Sequence, residues 1–191
     1  MPKRGKIPNP IYEPCTGGQV YLAVPKWADF DSWVALRRDN RTYLQSWEPS
    51  WDEAHLTRSA YRSRLTIYKK MIAEDIGYPF HVFMAEGHKL VGACNLTALK
   101  RGSMQSAHIG YWIGERYGRN GFARAAVRAI LRFSFEDLRL HRLEAAVQAE
   151  NAASISVLEK TGFRQEGIAR GLLKIDNQWR DHLIFAKLSG D

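Results

Sequence analysis

The feature that most constrains the fold of this chain is a glycine-containing turn between a strand pattern and a helix pattern. Residues 107–114 have the pattern of a strand, and the stretch that follows contains Gly118 and Gly121. A helix is then predicted by inward-facing apolar residues, namely Ala123, Ala126, Val127, Ile130, Leu131 and Phe135. Glycines let a backbone approach an anion closely, and a helix N-terminus offers unpaired N–H groups at the positive end of its dipole. The segment therefore predicts a phosphate-binding turn.

Positive charge is concentrated around this turn. Residues 116–135 include no acidic residue and carry arginines at positions 116, 119, 124, 128 and 132. A glycine turn alone would also fit an ordinary connection, but Arg116, Arg119 and Arg124 stand near it and are predicted to neutralise phosphates. Arg132 is expected on a solvated face of the helix. The turn matches neither the P-loop pattern nor the G-x-G-x-x-G pattern of dinucleotide folds, so a different phosphate-bearing ligand is indicated.

The order of predicted elements indicates a mixed α/β sheet in one domain. Strands are predicted at residues 19–24, 80–86, 90–99, 107–114, 142–148, 163–175 and 179–188. Helices are predicted at residues 27–37, 52–73, 123–135 and 151–161. We expect an irregular N-terminal arm at residues 1–18 and a single domain at residues 19–191.

Composition excludes several classes of protein. The chain has 191 residues, a formal net charge of +8 and 45% hydrophobic residues, which suits a folded domain better than a disordered chain. No apolar run approaches the roughly 20 residues of a membrane-spanning helix. No apolar stretch follows the basic start, so neither a membrane partner nor secretion is expected. Cys15 and Cys94 form no metal-binding pattern, so we expect no metal and a cytoplasmic location.

Several motifs add to the turn, which reads G-R-N-G-F-A at residues 118–123. The others are N-R at 40–41, W-E-P at 47–49, E-N-A-A-S at 150–154, L-E-K-T-G-F at 158–163 and D-N-Q-W-R-D-H at 176–182. Together they resemble the GNAT superfamily of N-acetyltransferases, specifically the ribosomal-protein-alanine N-acetyltransferases of the Rim type. The superfamily's loop carries Gln or Arg where this chain has Gly118, so Arg116 or Arg119 is expected to supply that phosphate contact.

The resemblance implies an α/β GNAT fold, in which a mostly antiparallel mixed sheet is flanked by helices and contains one splayed pair of parallel strands. Those strands would be 107–114 and 142–148. Acetyl-coenzyme A would be the cosubstrate, and its acetyl group would pass directly to a free amine in a ternary complex. The implied cofactor-binding residues are Tyr111, Trp112, Ile113, Arg116, Gly118, Arg119, Asn120, Gly121, Phe122, Ala123, Arg124, Asn151 and Ser154.

Three side chains are candidates for the catalytic chemistry. The acceptor amine must be neutral, and an α-amino group, with an ordinary pKa of about 7.7–8.0, needs less help than a lysine. His108 is the first candidate base and Glu144 the second, although a structural strand histidine and a glutamate paired with an arginine are open alternatives. The resemblance gives Ser154 the contact to the leaving sulfur. A plain helix cap is the alternative role of Asn151 and Ser154.

Three functions are compatible with the sequence. The resemblance favours acetylation of the N-terminal alanine of a ribosomal protein, with substrate contacts from residues 40–52 and 176–182. One alternative is acetylation of a small-molecule amine. The other is a non-catalytic protein associated with RNA or the ribosome, which the +8 charge and the basic residues Lys3 to Lys6 would favour.

Overall fold

The computed structural model describes residues 10–191, which contain one eight-stranded sheet. The strands are β1 (Ile11–Cys15), β2 (Gly18–Ala23), β3 (Tyr78–Met84), β4 (Lys89–Lys100), β5 (Ser106–Ile113), β6 (Arg142–Val147), β7 (Arg164–Ile175) and β8 (Gln178–Leu188). Their order across the sheet is β1-β2-β3-β4-β5-β6-β8-β7. The two central strands, β5 and β6, are therefore neighbours in the sheet, and the predicted glycine turn lies between them along the chain.

Helices cover both faces of this sheet. They are α1 (Phe30–Asp39), α2 (Arg41–Gln45), α3 (Arg58–Ala73), α4 (Phe122–Arg132) and α5 (Ala152–Lys160). A single π-helical turn, Phe133–Asp137, extends α4. Within residues 10–191, no helix is both long enough and apolar enough to cross a membrane.

Among the strands of residues 10–191, only one neighbouring pair is parallel. All the other neighbours are antiparallel, whereas β5 and β6 run in the same direction and pair from Ser106 opposite Arg142 to His108 opposite Glu144. Both strands continue beyond that last pair, so they separate toward their C-terminal ends. The predicted fold, a mostly antiparallel mixed sheet with a splayed parallel pair, is confirmed.

Two apolar clusters hold the layers together. One lies between the sheet and α4, where Val127 and Ile130 are fully buried with strand residues such as Leu143. The other lies on the opposite face, where Trp33 of α1 and Tyr61 of α3 pack with neighbouring aromatic and aliphatic side chains. Because side chains alternate along a strand, β5 contributes to both clusters. The sheet is thus fixed from both sides next to the splay.

The prediction of an irregular arm over residues 1–18 is wrong for residues 11–15. These residues form β1, which pairs with β2 from Ile11 opposite Leu22 to Cys15 opposite Gly18. Residues 1–9, including the basic residues Lys3 to Lys6, lie outside the described part of the chain. Pro14 is tolerated because β1 is the edge strand of the sheet.

Arg132 lies on an exposed face of α4 as predicted, with a side chain that is 43% exposed, and it also pairs with Glu13. Its Nη1 lies 2.6 Å from Glu13 Oε2, and Arg128 Nε lies 2.8 Å from Glu13 Oε1, so one carboxylate joins β1 to two turns of α4. Glu13 is 7% exposed. Burial alone raises the pKa of this carboxyl, but hydrogen bonds and charge attraction from the two arginines outweigh it and hold the pKa below its ordinary value.

The helix predicted from residue 52 begins later than expected. Residues 53–56 form a short 3-10 turn, and α3 starts at Arg58. Thr57 is its N-cap, because the threonine side chain accepts a hydrogen bond from the backbone N–H of Ala60 at 3.2 Å. Asp52, the predicted helix cap, therefore precedes the 3-10 turn and does not cap α3.

We predict that Glu13→Gln lowers the free energy of unfolding at pH 7 by about 2 kcal/mol. This loss is smaller than that for breaking a fully buried ion pair, because the two arginines are partly exposed. A carboxylate with a lowered pKa stabilises the fold above the ordinary glutamate pKa of about 4.3, and this contribution is lost as pH falls through the lowered value. The difference between variant and wild type should therefore shrink in acid, as measured by urea denaturation at several pH values.

Glu53→Gln is the matched control for this prediction. Glu53 also pairs with two arginines, Arg38 at 2.9 Å and Arg41 at 3.3 Å, but its side chain is 54% exposed. We expect its loss to change stability by less than about 1 kcal/mol. Equal effects of the two substitutions would contradict the structural role assigned to Glu13.

Candidate active site

A cavity of about 430 Å³ opens where β5 and β6 separate. Its lining residues come from the end of β5, the glycine turn, the start of α4, α5 and the α2 region, with one residue from the β1–β2 turn. Those from β5, the turn and α4 are Tyr111, Trp112, Ile113, Glu115, Tyr117, Gly118, Arg119, Gly121, Phe122, Ala123 and Arg124. The others are Thr16, Tyr43, Leu44, Trp47, Asn151, Ala153, Ser154, Ser156, Val157 and Lys160.

The glycine turn presents backbone to this cavity. Gly121 has a φ of +76° and serves as the N-cap of α4, so the first N–H groups of the helix have no side-chain cap and face the turn. A Cβ atom at Gly121 would lie 2.7 Å from Thr16 Oγ1, which excludes larger residues there. Asn120 fixes the turn, since its Nδ2 donates to the carbonyl oxygen of Gly118 at 3.0 Å. The turn thus has the uncapped helix N-terminus and close backbone approach that an anion-binding site requires.

The three arginines near the turn have different positions. Arg119 and Arg124 line the cavity. Arg116 is directed away from it, with its Nη1 3.7 Å from Asp39 Oδ2 and its guanidinium 4.8 Å from the centre of the Tyr117 ring. Of the two arginines expected to replace the missing long side chain at residue 118, Arg119 is the one beside the cavity.

Ser154 contacts Tyr111, which the sequence analysis predicted only as a cofactor-binding residue at the end of a strand. Ser154 lies in the first turn of α5, and its N–H donates to Asn151 Oδ1 at 3.0 Å, so Asn151 is a helix cap as well as a lining residue. Tyr111 Oη lies 2.9 Å from Ser154 Oγ and 3.2 Å from the Ser154 carbonyl oxygen. Burial raises the pKa of the Tyr111 phenol, which therefore remains a hydrogen-bond donor at neutral pH.

His108 and Glu144 meet at the point where the strands begin to separate. His108 Nε2 lies 3.0 Å from Glu144 Oε2, and these two residues are the last register pair of β5 and β6. Arg142 Nε donates to Glu144 Oε1 at 2.6 Å and the same guanidinium binds Glu166. Neither His108 nor Glu144 lines the cavity itself. The structure thus joins both candidate bases in one charged cluster at the apex of the splay.

Helix α2 crosses the open end of the splay. Asn40, which is 3% exposed, precedes α2, and its Oδ1 accepts from the backbone N–H of Glu115 just after β5 at 2.7 Å. On the other side, Gln148 Nε2, just after β6, donates to the carbonyl oxygen of Ser46 at 3.0 Å. We call residues 40–47 the bridging segment. Its side chains Tyr43, Leu44 and Trp47 form one wall of the cavity.

Some lining residues were not predicted from the sequence. Lys160 is the last residue of α5, a helix whose sequence motif pointed only to residues 151 and 154, and Thr16 lies in the segment predicted as an irregular arm. The signal that could have found Tyr43 and Trp47 was present, because residues 40–49 belong to the motifs of the resemblance. For Thr16 no local signal exists, since its contacts are more than 100 residues away in the chain.

The residues around the cavity fit a phosphorylated cosubstrate with a long polar arm. One end has the glycine cradle and two arginines, which suit phosphates, and the other end has the hydroxyl pair and the free edge of β5, which suit amides and a sulfur. Residues 10–191 contain no cluster of three or more His, Cys, Asp or Glu side chains that could hold a metal ion.

Comparison with known proteins agrees with this geometry. Residues 19–164 match the family described as Acetyltransferase (GNAT) domain. The chain is 34% identical over 175 residues to the probable N-acetyltransferase YjcK of Bacillus subtilis, covering 92% of this chain and 97% of that protein. It is 31% identical over 165 residues to the [Ribosomal protein uS5]-alanine N-acetyltransferase of Escherichia coli, covering 85% of each.

A solved structure shares the whole architecture. Mycobacterium smegmatis RimJ in complex with CoA-disulfide has a TM-score of 0.90 and 28% sequence identity, covering 95% of this chain and 90% of that one. The expected resemblance to the Rim type and the expected acetyl-CoA cosubstrate are therefore confirmed. The chain belongs to the GNAT family of acetyl-CoA-dependent acetyltransferases.

Proposed function

We propose that this acetyltransferase modifies the N-terminal alanine of a ribosomal protein. The observation that carries the proposal is the 31% identity, over 85% of both chains, with the E. coli enzyme named for the alanine of ribosomal protein uS5. A cytoplasmic location, where ribosomal proteins are made, is part of the proposal. The other relative, YjcK, is named only as a probable N-acetyltransferase, so it supports the reaction class but does not indicate which amine is acetylated.

The shape of the cavity on the side where the acceptor amine would enter supports a slender substrate. The bridging segment closes the splay on one side, and Trp112 of β5 lines the cavity beneath it. Arg37 reinforces this wall, since its guanidinium lies 4.4 Å from the Trp51 ring and 5.3 Å from the Trp112 ring. By contrast, a Cβ at Gly110 would meet nothing within 4 Å, so the strand has open space beside it. An extended N-terminus with a small first side chain suits such an opening.

Acetyl-CoA would lie along the separated part of β5. The cradle at Gly118 and Gly121, with Arg119 and Arg124, would bind its phosphates, and the exposed backbone of residues 111–113 would bind the amides of its arm. Asn120 and Phe122 contribute by fixing the turn and the start of α4. When bound, the cosubstrate supplies an acetyl group activated as a thioester.

Ser154 is proposed to stabilise the leaving sulfur. Tyr111 remains protonated and can donate to Ser154 Oγ, which leaves the serine proton free to point into the cavity. A hydrogen bond from that proton favours the thiolate over the thioester and so lowers the barrier of the transfer step. Tyr111 then acts as a positioning residue for Ser154.

His108 is proposed as the base that receives the amine proton. It stands at the apex of the splay with its imidazole held by Glu144, whose other oxygen is bound by Arg142. A carboxylate that accepts from Nε2–H fixes the tautomer in which Nδ1 is free to take the proton. Because the His108 side chain is 58% exposed, the proton can then pass to water.

The acceptor assignment predicts a clear substrate order. With purified protein and acetyl-CoA, a peptide beginning with the N-terminal sequence of uS5 should be acetylated, whereas the same peptide with a blocked N-terminus and an internal lysine should not. Thiol release and peptide mass measure the result. A parallel panel of polyamines and aminoglycosides tests the small-amine alternative.

Mass spectrometry of ribosomal proteins from cells lacking this protein tests the same assignment in vivo. One N-terminus should be lighter by one acetyl group than in the parent strain. Turnover of small amines with no change in any ribosomal protein would overturn the assignment. Coenzyme binding without turnover of any amine would favour a non-catalytic role.

Ser154→Ala should lower kcat by about 100-fold while the Kd for coenzyme A stays near the wild-type value. Tyr111→Phe, which keeps the ring and removes only the hydroxyl, should lower kcat by about tenfold. Ser156→Ala is the matched control, because Ser156 lies on the same helix and also lines the cavity. Unchanged turnover in Ser154→Ala would exclude the proposed role.

His108→Ala should lower kcat/KM for an α-amine by about 100-fold at pH 7. The deficit should shrink above about pH 9, because the α-amino group, with an ordinary pKa of about 7.7–8.0, is then already neutral. His88→Ala, at an exposed histidine between β3 and β4, provides the control. A deficit that is equal at every pH would argue for a structural histidine.

A further inference from the structure

The turn between β1 and β2 touches the glycine turn of the coenzyme site. The backbone N–H of Gly17 donates to the carbonyl oxygen of Asn120 at 3.0 Å. The two turns are in close contact, since a Cβ at Gly17 would lie 2.9 Å from both Asn120 Cβ and Phe122 Cε1. Glycine at residue 17 therefore allows one turn to rest directly on the other.

The ion pairs between Glu13 and two arginines of α4 stabilise this contact between the two turns. Glu13 lies in β1, a few residues before the turn, and binds Arg128 and Arg132 of α4. The same arginines donate to backbone carbonyls of β1, Arg128 Nη2 to Pro14 at 2.6 Å and Arg132 Nη2 to Tyr12 at 2.9 Å. The β1–β2 turn is thus held against the helix whose N-terminus forms the cradle.

Thr16 is the residue of this turn that reaches the cavity. Its side chain lines the cavity together with Gly121, Arg119 and Arg124. Its Oγ1 lies 3.3 Å from the carbonyl oxygen of Asn120, a long distance for an O–H···O bond, and that carbonyl already accepts from Gly17. A hydroxyl rotates freely about its C–O bond, so the Thr16 proton is available to a stronger acceptor in the cavity.

We propose that Thr16 is a coenzyme ligand whose hydroxyl donates to a phosphate oxygen of coenzyme A. Gly17 and Glu13 are positioning residues that hold it there. The proposal rests on the coenzyme site described above and adds to it an element outside residues 19–164, the part of the chain that matches the GNAT family. A phosphate is the expected acceptor because the neighbouring lining residues are cationic or present backbone N–H groups.

Isothermal titration with coenzyme A tests this without any acceptor amine, so the outcome does not depend on the ribosomal substrate. Thr16→Val keeps the shape and removes the donor, and it should weaken binding about tenfold, as expected for a lost hydrogen bond to a charged group. Thr16→Ser retains a hydroxyl and should bind close to the wild-type Kd. Thr66→Val, an exposed threonine of α3 that donates to the Arg62 carbonyl, should leave binding unchanged.

Titration with 3′-dephospho-coenzyme A identifies the phosphate. If the effect of Thr16→Val disappears with this ligand, the acceptor is the 3′-phosphate, and if it persists, the acceptor is the pyrophosphate. Thermal denaturation of each variant reports on folding separately. The proposal is overturned if Thr16→Val binds coenzyme A as wild type does, or if Thr16→Ser loses as much affinity as Thr16→Val.

Discussion

The separation of β5 from β6 is the constraint on which the rest of the structure depends. Parallel strands in a continuous sheet would satisfy each other's backbone groups, but here pairing ends at His108 opposite Glu144. The backbone of β5 beyond that point is left with donors and acceptors that need another partner. The helices, the glycine turn and the bridging segment surround the gap, and the sheet stays intact because antiparallel neighbours hold both strands from their outer sides.

The charged groups at the two ends of the gap differ. Near the start of α4, helix N–H groups without a side-chain cap lie beside two arginines that line the cavity, Arg119 and Arg124. At the apex, Arg142 pairs with both Glu144 and Glu166, and Glu144 also contacts His108. This arrangement suits a ligand with an anionic head and a neutral reactive tail, such as the acetyl-CoA of the proposed function.

Features encoded within a short stretch of sequence were predictable, and those that depend on distant partners were not. The strand, turn and helix around Gly121 follow from local periodicity and glycine placement, and the position of Ser154 follows from its motif. Strand β1 was missed because its alternation is interrupted by Pro14, and because the arginines that bind its Glu13 lie more than 100 residues away in the chain. The contact of Tyr111 with Ser154 spans 43 residues, so no local pattern could reveal it. Likewise, only the fold shows that Arg116 pairs with Asp39.

The link between Glu13 and α4 also has a consequence for the order of events during synthesis. Glu13 leaves the ribosome before its partners Arg128 and Arg132, which lie 115 and 119 residues later in the chain. Until α4 has been made, β1 is held in the sheet through β2 alone, without the two arginines that bind the buried Glu13 carboxylate. Strand β1 therefore gains its contacts with arginines only after α4 has been made. A nascent chain stalled before α4 lacks the part of the cavity wall that α4 supplies, and its Glu13 carboxylate has no arginine partner.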